Sequence, residues 1–155
     1  MVGRQGRLPG GLQSILGSMT TEQEKRSFQI WDYKADRAFM LIRSPKSGSG
    51  QPNLDVVFNG VEYVEVTHFL RKGLRIVEPT DDETARVKQI LGSSFRPRWV
   101  KLFVLESGDQ RFLVAAAAVR VVETQSDIHK PVNESDYWGD IGDFGTIVYQ
   151  DRAFE

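Results

Sequence analysis

The chain contains no cysteine and only two histidines among its 155 residues. The first absence excludes a disulfide scaffold, cysteine-ligated zinc, iron–sulfur clusters and thiol nucleophiles. The second leaves little for a metal site, because His68 and His129 lie far apart and neither falls in an H-E-x-x-H spacing. No metal and no other cofactor is expected. Long apolar runs are missing as well: the longest, residues 112–119, is far short of the roughly 20 residues of a membrane-spanning helix. Nor is there an excess of one charge. Twenty Lys and Arg stand against 21 Asp and Glu, for a net charge of −1, which excludes a strongly basic nucleic-acid packager and a highly charged disordered chain.

Motifs for chemistry are equally scarce. Neither G-x-S-x-G nor S-x-x-K occurs. Lys46-Ser47-Gly48-Ser49-Gly50 has glycine and a lysine, but lacks the phosphate-loop spacing and runs into Pro52 instead of a helix. Asp55, Glu62 and Glu65 are strand carboxylates that could in principle do acid–base work. Of these, Glu65 is the one whose pairing position points to partial burial, although a place at a sheet end, reaching solvent, is the preferred reading. The balance leans away from an enzyme without deciding the matter.

What is present reads mostly as strands. Residues 27–33 and 37–43 are aromatic- and aliphatic-rich and separated by Lys34-Ala35-Asp36, a hairpin-length connection. Residues 44–53 have the composition of a mobile connector. Asn59-Gly60 predicts a type I′ hairpin over 54–66, pairing Phe58 with Val61, Val56 with Tyr63 and Leu54 with Glu65. A further strand covers 74–78. Thr80-Asp81-Asp82-Glu83 is a capping box that opens a short helix, with Gly92 able to end it. Strands over 98–106 and 111–123 flank Ser107-Gly108-Asp109-Gln110, the second being buried on both faces with its alanines under a neighbouring layer. A last strand lies near 144–149. The expected fold class is α+β, a mainly antiparallel sheet or a small β-barrel of about eight strands with one short helix.

Residues 27–155 are expected to form a single β-rich domain behind a flexible or processed leader, residues 1–26. The leader carries Arg4 and Arg7, no acid before Glu22, and Leu8, Leu12, Ile15, Leu16 and Met19 at helical spacing. That pattern is shared by mitochondrial presequences and by a chain whose native start is Met19 instead of Met1. A cytoplasmic location is expected otherwise.

The near-zero charge conceals a polarity. Residues 1–66 carry +1, residues 67–120 carry +4 and residues 121–155 carry −6. The acidic end holds Asp136, Tyr137, Trp138, Asp140 and Asp143, a mixture of carboxylates and large rings that suits a surface for a basic protein partner. For the rings themselves the preferred reading is that they fold back onto the barrel or sheet as a plug, with the acids solvated. A non-catalytic interaction module using this segment is the leading expectation. One rival is a small-ligand-binding barrel or enzyme with a pocket at Tyr63, Glu65, His68 and Trp99. Another is nucleic-acid binding through 67–120, where Arg96, Arg98 and Lys101 alternate with Phe95, Trp99 and Phe103, although the isoelectric point near 6.2 weighs against it. Oligomeric state has no signal in the sequence.

Overall fold

Strand parity organises the molecule. A computed structural model describes residues 26–48 and 50–153, so all of the expected leader except Arg26 lies outside the described residues. In chain order the elements are β1 (Phe28–Lys34), β2 (Phe39–Ser44), β3 (Asn53–Asn59), β4 (Tyr63–Glu65), β5 (Phe69–Leu70), β6 (Arg75–Val77), α1 (Asp81–Leu91), β7 (Lys101–Ser107), β8 (Gln110–Ala116), β9 (Ala118–Thr124) and β10 (Gly145–Arg152). A larger sheet runs β10-β9-β3-β2-β1-β5 and a smaller one β4-β8-β7-β6, with all pairs antiparallel.

Alternate residues of the central strands serve different layers. Met40, Ile42, Val56, Phe58, Val119 and Val121 of the larger sheet meet Phe103, Leu105, Val114 and Ala116 of the smaller one in the main core. The opposite faces are covered as well. Val87 of α1 packs with Leu102, Val104, Leu113 and Ala115 behind the smaller sheet. Residues 126–144 lay Val132, Tyr137, Trp138, Ile141 and Phe144 over Phe39, Leu41, Val57 and Val122 behind the larger one. This last layer, called the strap below, contains two short 3-10 turns, Glu134–Tyr137 and Gly142–Phe144.

Several expectations hold. The 34–36 connection joins β1 to β2, the Gly108-Asp109 turn joins β7 to β8, and the last strand forms as β10. The helix starts where its capping box lies: Thr80 accepts from the Glu83 N–H while Glu83 accepts from the Thr80 N–H. The alanines of β8 do sit where layers approach, Ala115 under the helix and Ala116 in the main core. Among the described residues, no helix is long and apolar enough to cross a membrane.

Two features differ. The 54–66 segment is not a hairpin: β3 pairs with β2 and β9, while β4 pairs with β8 in the other sheet. A type I′ turn needs positive φ at both central residues, and only Gly60 (φ 67°) has it. The chain instead turns a corner between sheets there. The second difference mirrors it. The long strand read over 111–123 breaks at Ala117 into β8 and β9, again one in each sheet. The two corners brace each other, since the Ala117 N–H donates to the Asn59 carbonyl at 2.9 Å. Neither sheet closes on itself, because β10 and β5 edge one and β4 and β6 the other. The barrel alternative gives way to two open sheets packed face to face.

Candidate functional site

The strap face of the larger sheet carries a buried ionic group that parity and register assemble. Arg43 shares its face of β2 with Phe39 and Leu41, and Asp55 shares its face of β3 with Val57; the ladder sets Arg43 directly opposite Asp55. Arg43 is 2% exposed and Asp55 0%. The guanidinium makes a two-pronged pair, Nε to Oδ1 at 2.7 Å and Nη2 to Oδ2 at 2.9 Å. From the strap, the Tyr137 hydroxyl donates to Asp55 Oδ2 at 2.7 Å and accepts from Arg43 Nη2 at 3.1 Å. Trp31 lies against the guanidinium, 5.1 Å from ring centre to Cζ.

Arg43 and Tyr137 are thereby held protonated. Burial alone would lower the Arg43 pKa, but the hydrogen bonds and charge of Asp55 outweigh it and raise it. Burial pushes the Tyr137 phenol well above its ordinary value, reinforced by the Asp55 carboxylate. Chemically the group is a lock, with its charges paired and the Tyr137 hydroxyl bonded to both partners. It fastens the strap.

Arg120 of β9 adds a second fastening. Its Nη1 donates to the Tyr137 and Gly139 carbonyls at 3.0 and 2.8 Å, and its Cζ lies 5.5 Å from the centre of the Trp138 ring. The Trp138 Nε1 is buried without a hydrogen-bond partner among the described residues. Arg37 pairs with Glu134 from the β1–β2 turn.

The proposed partner-binding residues therefore divide. Tyr137 is 2% exposed and Trp138 half-buried, so the rings hold the strap down as a plug. Asp136, Asp140 and Asp143 are exposed on its outer side. A cleft of about 270 Å³ opens beside them, with Arg43 and Tyr137 among its lining and Asp127, Lys130 and Asp136 at its charged positions.

The alternative pocket is not gathered into one place. Tyr63 donates to Glu65 at 3.1 Å, and Glu65 pairs with Arg86 of α1 at 2.9 Å on the helix side of the smaller sheet. His68 instead gives its carbonyl to Ile30 of the larger sheet. Trp99, 54% exposed, precedes β7. Glu65 itself is exposed, with half its side chain in solvent, as expected of a sheet end. The face it was expected to share with Leu54 and Val56 does not exist, because β4 belongs to the other sheet. Asp55 is the strand carboxylate that is buried.

Four of the ten basic side chains of the stretch 67–120 form ion pairs among the described residues. Arg75 pairs with Glu106, Arg86 with Glu65, Lys101 with Asp151, and Arg111 with both Glu83 and Glu106. The 44–53 connector is likewise tied: Lys46 donates from its backbone to Asn53 Oδ1 and from Nζ to the Gln125 carbonyl, while Arg26 donates to Ser44 and Pro52.

Arg43, Arg120 and Arg26 went unnoticed in the sequence. The available signal was an arginine at the end of an apolar strand with an aspartate at matching parity in the next. It becomes legible only once the register is known.

The fold defines an antiparallel two-sheet protein with a fastened C-terminal strap. Comparison with protein-family models, curated proteins and solved structures finds no match.

Proposed function

We propose that the protein is a non-catalytic recognition module whose strap presents Asp136, Asp140 and Asp143 to a basic protein partner. One observation carries this reading: the acidic segment is bolted to the larger sheet by the Arg43–Asp55–Tyr137 group while those three carboxylates stay exposed. Burying an ion pair is costly, and replacing it with apolar side chains is often neutral or favourable for stability. A segment held this way has its conformational freedom removed before a partner arrives, so less is lost on binding. Carboxylates on a rigid support also steer a cationic partner and set its orientation. The cleft beside Asp127 and Asp136 accommodates one cationic side chain of that partner, and the remaining acids lie outside it.

Affinity capture from the native host with the full chain tests the reading. The Asp136→Asn, Asp140→Asn, Asp143→Asn triple variant, with unchanged thermal melting, is expected to lose a partner that the wild-type chain recovers, and raised salt is expected to release it from the wild type. Equal recovery by both chains defeats the proposal.

A further inference from the structure

A second site lies elsewhere, at the open end of the β1–β5 ladder. Phe28 pairs with Leu70 and Gln29 with Phe69; the Gly73 N–H then donates to the Arg26 carbonyl at 3.0 Å. Residues 26–29 and 69–73 therefore run side by side, and Arg26 and Arg71 reach the same opening. That opening is a cleft of about 470 Å³ lined by Arg26, Ser27, Gln29, Gln51, Phe69 and Arg71, with further apolar wall.

Its charge is one-sided. Arg26 and Arg71 are the ionisable groups of the lining, and no carboxylate is among them. Neither arginine is ion-paired among the described residues, whereas Arg37, Arg43, Arg75, Arg86, Lys101 and Arg111 all are. Arg26 is half-buried and spends Nε and Nη2 on neutral acceptors, the Ser44 hydroxyl and the Ser44 and Pro52 carbonyls. Burial lowers its pKa, with Glu123 and Asp55 opposing only through their charge. A partly desolvated guanidinium that no carboxylate of the described residues pairs with directly favours an anion supplied from outside.

The apolar side of the cleft is also specific. Phe69 is 41% exposed, with the Arg71 Cζ 4.5 Å from its ring centre and His68 edge-on at 4.4 Å. Arginine stacked on an aromatic ring keeps its N–H edge free for an anion while presenting a flat surface. Ser27, Gln29 and Gln51 add neutral polar groups.

We propose that this cleft binds an organic phosphate, a phosphate monoester between Arg26 and Arg71 with a planar body against Phe69. A monoester dianion matches two guanidiniums in charge and offers several acceptor oxygens, where a carboxylate offers one charge and two oxygens. This site is separate from the strap and does not depend on its function.

Titration of the full chain with adenosine monophosphate, read by calorimetry and by amide chemical shifts, tests the assignment. Saturable binding is expected, displaced by inorganic phosphate and not shared by adenosine. Arg71→Gln, an exposed change that leaves the fold intact, is expected to weaken it about tenfold or more, and Phe69→Ala by about threefold or more. Lys88→Gln on the distant helix is expected to leave it unchanged. Absence of saturable binding up to about 5 mM, or equal binding by the Arg71→Gln chain, overturns the proposal.

Discussion

Arg43 and Asp55 occupy positions where two valines would have packed without desolvation cost. Their charges are tolerated because each completes the other and Tyr137 adds a hydroxyl to both. The energetic signature of such a group is asymmetry. Asp55→Leu alone strands a buried guanidinium and is expected to cost about 3–5 kcal/mol in denaturant unfolding, as is Arg43→Met alone. The double variant is expected to lose less than either single change. A double variant that costs the sum of the two would show that the charges act independently. The sequence marks Asp55 as a strand carboxylate but carries no sign of its burial, because the β2–β3 register is what sets Arg43 opposite it. Glu65 lies in β4, against β8, and its carboxylate reaches Arg86 and solvent, as expected of a sheet end.

At the scale of the element, the helix is the segment best determined locally. Its start needs four neighbouring residues and no tertiary partner, so Thr80 and Glu83 were legible as a capping box and form one. Tertiary structure then adds a charge: Arg111 of β8 donates to Glu83 through Nε and Nη2, both at 2.9 Å. Hydrogen bonding from Arg111 first, with the Thr80 backbone assisting, holds the Glu83 carboxyl at about 2 against an ordinary 4.5. A depressed folded-state pKa means that the unfolded chain binds more protons between those values. The stabilisation is therefore complete above pH about 4.5 and lost as pH falls towards about 2. Glu83→Gln keeps the capping geometry and removes the charge. Its melting temperature is expected to lie below wild type at pH 7, with the gap closing as pH falls through that window. A gap independent of pH would remove the ionic explanation. The strap is the opposite case: its apolar rings and acids were visible, yet which of them turned inward depended on the groove offered by β2, β3 and β9.

For the whole molecule, the decisive feature is the pair of corners at Gly60 and Ala117, where the chain leaves one sheet for the other. A Cβ on Gly60 would lie 2.7 Å from the Ala117 Cβ, and Gly60 holds φ at 67°. Both the left-handed backbone and the close approach exclude a larger residue. Gly60→Ala is expected to destabilise by at least about 1–2 kcal/mol, with partial recovery on adding Ala117→Gly. Gly48→Ala, which meets nothing within 4 Å, is expected to stay within about 0.5 kcal/mol of wild type. Equal effects at the two positions would mean that the corner is not tightly packed. The regional charges also change meaning at this scale. The positive excess of 67–120 is met in part from outside the stretch, by Glu65 on Arg86 and Asp151 on Lys101, while Arg71 lies at one opening and exposed acids remain on the strap.

The sequence by itself determined the element types and the exclusions. Alternation, capping and turn residues are encoded within a few neighbours, and the missing cysteines are a matter of composition. Only the tertiary structure decided which strands pair, because Asn59-Gly60 is locally compatible with a hairpin or a corner, and the run through Ala117 with one continuous strand or a corner. Their mutual packing, across distant parts of the chain, selects the corners. With the corners came the two sheets, the burial of Arg43 and Asp55, the inward turn of Tyr137, and the cleft that Arg26 and Arg71 both line.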